Sequence, residues 1–310
     1  MKIMKACTKI KYYLSHKTVR YYLSKPLTFL FNRALVLHLR IKKILGKDVN
    51  FSPNVSSDIP IDVVLTAVEK DYDVMVYAIN SIRKNIKHPI NNIFVVSPHS
   101  EKIIAICRDY GCVFVDENKV LPITKRDICY DVNGIDRSGW LFQQLLKWGI
   151  ARYVEGDYFL VTDADTVFCR PQVFIWEEKI IFSINSCLAH IPYLEVYNKM
   201  FKENITASMN FVSHHSLIKK SILFDLIKKI ENDSKVPWFK VILNSIDKNE
   251  TSSFSEYDTY GYFVFNNYRE ECMLEHWFNL SLSRKKLENF DSLITKCGLK
   301  YKTVSFHSYK

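Results

Sequence analysis

The chain has 310 residues, 48% hydrophobic and 14% aromatic, which is ample for a sizeable core and excludes a low-complexity or disordered chain. Its formal charge of +10 is concentrated at one end: twelve Lys/Arg and no Asp/Glu precede Asp48, and the rest carries 31 basic against 33 acidic residues. A near-neutral body argues against a catalytic domain built to follow a nucleic-acid backbone, and no uncharged run approaches the ~20 apolar residues a membrane-spanning helix needs.

Residues 1–50 interleave Lys and Arg with Tyr, Leu, Ile and Phe, as in Lys11-Tyr12-Tyr13-Leu14 and Arg20-Tyr21-Tyr22-Leu23. The pattern predicts an amphipathic helical segment, broken in two at Ser24-Lys25-Pro26 with Pro in the first turn of the second helix. Such a segment suits an anionic membrane surface, at the inner face of the cell membrane; helices packed on the body with a solvated basic face, and last a nucleic-acid patch, are the alternatives. Basic residues interrupt every early apolar run, so a signal peptide is not expected. The eight cysteines, from Cys7 to Cys297, include no Cys-x-x-Cys pair and read as reduced thiols of a cytosolic setting.

Residues 51–60, rich in Ser and Pro, read as a linker, and 61–310 as one catalytic domain. Ile61–Thr66 is expected to be a buried strand, followed by a polar turn from Glu69 to Asp73 and a helix from about Val74 to Ile86. Asn92–Ser97 is a second strand, Glu101–Tyr110 a second helix and Cys112–Val115 a third strand. This alternation predicts an α/β fold with a mainly parallel sheet covered by helices on both faces. Ligands then bind beyond the carboxyl ends of the strands. No glycine-rich phosphate loop follows the first strand, so a metal must do more of any phosphate binding.

Residues 116–138 form a polar stretch longer than a connector needs, a plausible lid over a site. Gly139–Trp148 follows as a helix with Leu141, Phe142, Leu145, Leu146 and Trp148 on one side. Trp140, Gln143, Gln144 and Lys147 cluster on the other, where they could contact a sugar and a phosphate or simply face solvent. The apolar run Tyr158–Thr162 then delivers Asp163-Ala164-Asp165 to a strand end. Two carboxylates one residue apart can share a hard divalent cation, Mn2+ or Mg2+, and such an ion can neutralise a departing diphosphate. A polar turn after a strand is the simpler alternative.

Ile180–Asn185 resumes the sheet, and Ile180–Leu194 as a whole reads as strand plus loop. Of the adjacent His214 and His215, at most one is expected to point into a site. Helices are expected over about Ser216–Glu231 and Pro237–Asp247. Ser253 with Glu256, or Ser255 with Asp258, makes a helix capping box, while Glu256 could also serve as a general base. Tyr301–Phe306 reads as a terminal strand, and the imidazole of His307 behind it could complete a metal shell.

Four places together resemble a nucleotide-sugar-dependent glycosyltransferase of the GT-A fold, closest to a bacterial glycosyltransferase-like group from polysaccharide loci. They are Asp62–Tyr72, Gly139-Trp140 with Gln143, Gln144 and Lys147, Asp163-Ala164-Asp165 with Arg170-Pro171, and Ser255-Glu256-Tyr257 with Tyr260-Gly261. The resemblance spans about Ile61 to His307. It implies that Asp165 holds the metal on the diphosphate, Asp163 holds ribose or a metal-bound water, and Thr66, Ala67 and Glu69 contact the nucleoside. It further implies a base at Glu256 with inversion, and His307 as third metal ligand. Tyr257 stands where many relatives carry a second acidic residue, and Asp258 lies close enough to compete for the base role. The expected activity is hexosyl transfer from a nucleotide-diphosphate donor, UDP-sugar favoured, to a cell-surface glycan or lipid-linked glycan. A sugar nucleotidyltransferase on a similar sheet and a non-catalytic membrane-surface scaffold are the alternatives.

Overall fold

The computed structural model describes residues 16–52, 54–232 and 235–308. Helices α1 (His16–Ser24) and α2 (Pro26–Ile44) break where the sequence indicated, with Pro26 in the first turn of α2; residues 1–15 of the basic segment lie outside the described residues. Both helices pack on the body. Tyr22, Val36 and Leu39 enter the main core, and the Tyr22 hydroxyl donates to Ala207 O (2.6 Å) and accepts from Ala189 N (3.2 Å). Lys17 adds ion pairs to Asp247 (2.9 Å), Glu195 (3.2 Å) and Glu250 (3.3 Å).

At and just before the expected linker, described residues contact the body. Asn50 is buried and bonds Val173 and Glu275, Val55 is buried beside Val173 and Ile181, and Ser57 N donates to Lys87 O.

Strand β1 (Ile61–Thr66) is buried at all six positions, because helices cover both faces of its sheet. It leads through α3 (Tyr72–Asn85), β2 (Ile90–Ser97) and α4 (Glu101–Asp109) to β3 (Val113–Asp116). The expected lid carries structure of its own: a short helix, α5 (Glu117–Val120), and a hairpin of β4 (Asp131–Val132) and β5 (Ile135–Asp136). Helix α6 (Ser138–Gly149) and strand β6 (Tyr158–Asp163) follow.

Next come β7 (Thr166–Phe168), β8 (Ile175–Trp176), β9 (Lys179–Ile184) and α7 (Ile191–Phe201). That helix replaces the loop expected after Asn185; Pro192 lies in its first turn, where a missing N–H is harmless. Strand β10 (His215–Lys219) takes residues expected to open a helix, because pairing antiparallel with β6 satisfies their backbone. Helix α8 (Lys220–Asn232) therefore starts later, and α9 (Trp238–Ser245) and α10 (Glu256–Asn267) follow. Strands β11 (Cys272–His276) and β12 (Asn279–Ser283) and helix α11 (Phe290–Gly298) precede the expected terminal strand, β13 (Thr303–His307).

The main sheet has the order β10-β6-β1-β2-β3, with only β10 antiparallel. The chain leaves β1 toward β2 on one side and returns through β6 on the other. The point where the strand order reverses, beyond the ends of β1 and β6, is where such sheets open a crevice. Thr66 and Asp163, the last residues of those strands, pair across it. Two three-stranded sheets, β11-β9-β8 and β12-β13-β7, complete the fold. Helix α10 packs closely enough that a Cβ at Gly261 would lie 2.4 Å from the Phe211 ring.

Candidate active site

Three strand ends converge on the crevice, and backbone pairing explains why. Strand β10 runs antiparallel to β6, and Asp163 N donates to His214 O (2.9 Å), which sets His214 beside the carboxylates. Strand β13 runs antiparallel to β7, and Phe306 N donates to Asp165 O (2.9 Å), which brings His307 to the same place. Asp165, His214 and His307 each offer one ligand atom, and these atoms lie within 4.8 Å of one another. His307 Nδ1 is 3.2 Å from Asp165 Oδ2. His214 adopts φ of +60°, a left-handed backbone that costs an imidazole-bearing residue on the order of 1–2 kcal/mol.

Asp163 faces the other way with one oxygen. Its Oδ1 accepts from Lys147 Nζ (2.7 Å) and from the Tyr257 hydroxyl (3.0 Å), while Oδ2 lies 3.7 Å from His214 Nδ1. Lys147 Nζ also donates to Glu256 Oε1 (2.6 Å) and Tyr257 Oη (3.2 Å). This ammonium is 2% exposed, so it would be untenable without partners. Burial alone would lower its pKa; the attraction of Asp163 and Glu256 outweighs that and holds it above the ordinary lysine value. Burial likewise opposes ionisation of Asp163, but Lys147, with help from His214, holds its carboxyl below the usual range. Glu256 is raised, since burial exceeds the stabilisation it receives from Lys147. Burial lowers His214, with Asp163 and Asp165 pulling in the opposite direction, which favours the neutral imidazole a metal requires.

The crevice widens into a cleft of about 550 Å³ lined by Thr66, Ala67, Trp140, Gln143, Gln144, Lys147, Asp163, Asp165, His214 and His307, among others. All four residues of the polar face of α6 therefore meet at the cleft, although Lys147 and Gln144 are buried rather than solvated. Gln143 Nε2 reaches Thr66 O (3.3 Å), and the Arg137 guanidinium stacks 4.4 Å over the Trp140 ring. Glu69 turns aside to accept from Ser100 Oγ (2.8 Å), and Lys70 and Asp71 from its turn line the cleft instead.

Glu256 lies behind Lys147, off the cleft wall; its Oε2 is buried without a partner. Asp258 is also off the wall, with Oδ1 accepting from Phe211 N (2.6 Å) and Oδ2 buried without a partner. Burial pushes its carboxyl up to about 7. Ser255 caps α10 by accepting from Asp258 N (3.2 Å), as one of the two capping alternatives required. Sequence reasoning left His214 undecided from its neighbour, and His215 proves to be the buried one, its ring against Phe168 and Phe174. Tyr257, noted only as a departure, bridges Lys147 and Asp163.

A strand-end crevice walled by carboxylates, imidazoles and a buried lysine defines an α/β protein with a built polar site. Residues 60–292, well over half of the sequence, match the model of the family of unknown function DUF6492, and the chain belongs to that family. Among curated proteins, none matches its sequence. Several solved structures are similar in shape. Mouse xyloside xylosyltransferase 1 in its apo form is 11% identical, with 81% of this chain and 99% of that one covered and a TM-score of 0.42. The galactosyltransferase LgtC with donor and acceptor sugar analogues is 12% identical over 79% and 87%, at a TM-score of 0.40. The glycosyltransferase GlyE of Streptococcus pneumoniae is 13% identical over 81% and 55%, at 0.35.

Proposed function

We propose that this protein is a divalent-metal-dependent glycosyltransferase that moves a sugar from a nucleotide-diphosphate donor to a glycan or lipid-linked glycan. The observation that carries the reading is the convergence of Asp165, His214 and His307 at the switch point of the sheet, on the wall of a cleft large enough for a nucleotide sugar.

The donor set fits a first-row transition ion. One carboxylate with two imidazoles favours Mn2+ over Mg2+, because imidazole nitrogen is a poor ligand for the harder cation. A bound cation would supply charge neutralisation for the departing diphosphate. Asp163, through Oδ2, is assigned to a metal-bound water or the donor's ribose, and Thr66, Ala67, Gln143 and Trp140 to the nucleoside and sugar. UDP is the first base to try. The geometry favours a positioning role for Glu256: Oε1 is committed to Lys147, which in turn fixes Asp163, and service as an acceptor base would require that contact to open.

Thermal unfolding of the full chain with UDP, GDP or CMP, each with Mn2+ or EDTA, tests the reading. A stabilisation with one nucleotide that needs Mn2+ is expected, because a ligand preferring the native state must raise its stability. Asp165→Asn should abolish the Mn2+-dependent part while leaving the unliganded Tm within a few degrees. No shift with any nucleotide, or an equal shift in Asp165→Asn, would overturn the metal-centred donor site.

A further inference from the structure

Helix α2 is amphipathic twice over. One side carries Asn32, Val36 and Leu39 into the body. The opposite side repeats apolar residues at helical spacing: Leu27, Leu30, Phe31, Leu37, Ile41 and Ile44, exposed by 80, 59, 54, 59, 39 and 81%. A 100° advance per residue places these six in one stripe, which also holds Ala34 and the exposed His38 and is centred about opposite the buried face. Leu23 of α1, 77% exposed, and Leu45, 61% exposed, extend it at its two ends. Exposed single leucines are ordinary; a stripe of this length interrupted by one imidazole, along a helix of about 28 Å, is not.

Charge identifies the occupant. Arg33 and Arg40 flank one margin of the stripe and Lys42 the other, and no acidic residue occurs before Asp48. A second copy laid stripe to stripe would bring these cations together without a counter-charge. An anionic bilayer offers hydrocarbon to the stripe and phosphate to both margins at once. We infer that α2 lies in the plane of an anionic phospholipid surface, its outer stripe sunk among the acyl chains and Arg33, Arg40 and Lys42 on the headgroups, while its inner face stays docked on the body. The inference is independent of the activity proposed above. No helix among the described residues is long and apolar enough to cross a membrane.

The test is co-sedimentation of the full chain with phosphatidylcholine vesicles, with and without phosphatidylglycerol, beside the triple variant Leu30→Glu/Phe31→Glu/Leu37→Glu. The wild type is expected to bind the phosphatidylglycerol vesicles, more weakly at high salt. The triple variant should lose more than about tenfold in binding with an unchanged Tm, since all three side chains point outward. Arg33→Gln/Arg40→Gln/Lys42→Gln should lose about fivefold per charge on anionic vesicles only. Undiminished binding by the Leu30→Glu/Phe31→Glu/Leu37→Glu protein would overturn the inference, because Lys2, Lys5, Lys9 and Lys11 would then suffice. So would a wild type that ignores both vesicles, and so would a dimer in sedimentation velocity that this variant dissociates without any vesicle binding, which would assign the stripe to a second copy.

Discussion

Lys147→Met probes the buried charge cluster most directly, since it keeps the side chain's length and removes its ammonium. Two carboxylates at 2.7 and 2.6 Å then lose their shared cation. At an effective dielectric of about 20, opposite charges about 3 Å apart attract by about 5–6 kcal/mol, and two such contacts exceed the desolvation of one ammonium. Opening a buried ion pair from one side typically costs about 3–5 kcal/mol, and we expect that loss in urea unfolding at pH 7. Adding Glu256→Gln should recover about 1–3 kcal/mol, because the cost of burying that carboxyl without its cation, charged or protonated, disappears. The deficit must also depend on pH. In Lys147→Met the folded protein holds Glu256 protonated well above the usual glutamate range near 4.3. The unfolded chain releases that proton first, so the deficit is small near pH 4 and grows as pH rises. A loss below about 1 kcal/mol, or one that Glu256→Gln leaves unchanged, would refute the charge-cluster reasoning.

Asp258 supplies a second pH effect. Its folded carboxyl is raised from 3.8 to about 7, so the unfolded state loses its proton first, and stability falls as pH rises from about 4 to about 7 and levels off above; the difference amounts to about 4 kcal/mol. Asp258→Asn keeps an acceptor for Phe211 N and should flatten that decline, read as wild-type minus variant Tm across the range; parallel curves would count against a protonated Asp258. Tyr22→Phe removes a hydroxyl that serves Ala207 and Ala189 in the core, and a loss of about 1–3 kcal/mol in urea unfolding is expected. A neutral result would mean that the hydroxyl's two bonds add nothing net to the docking of α1.

What the sequence disclosed depends on how local its cause was. Strand β1, β2, β6 and the helices between them declare themselves through apolar runs and helical period, because both faces of the sheet are covered. That Thr66 and Asp163 share one rim follows from the parallel alternation; that β6 pairs directly with β1, setting them opposite each other, does not. Strand β10 was hidden because its pairing partner, β6, lies more than fifty residues earlier, and Ser216–Lys219 taken alone runs into a helix. The short strand β11 was hidden for the same reason, its partner β9 lying about ninety residues earlier, and β12 because it is five residues long and pairs only with the terminal strand β13. At the site, the polar face of α6 was legible from spacing, but its burial was not. Lys147 can be 2% exposed only because Asp163 and Glu256 arrive from β6 and α10 to neutralise it.

The same contrast separates the two histidines. Adjacent in sequence, His214 and His215 differ in fate because β10 begins at His215, whose side chain joins the sheet's buried face, while His214 stands one residue outside with φ of +60° and turns to Asp165 and His307. A strand boundary thus divides a core residue from a residue of the proposed metal site. Shifting β10 by one residue against β6 would reverse every side chain on it and send His215 toward the carboxylates in place of His214. The antiparallel register that pairs His215 with Thr162 is therefore part of the site as much as its side chains are.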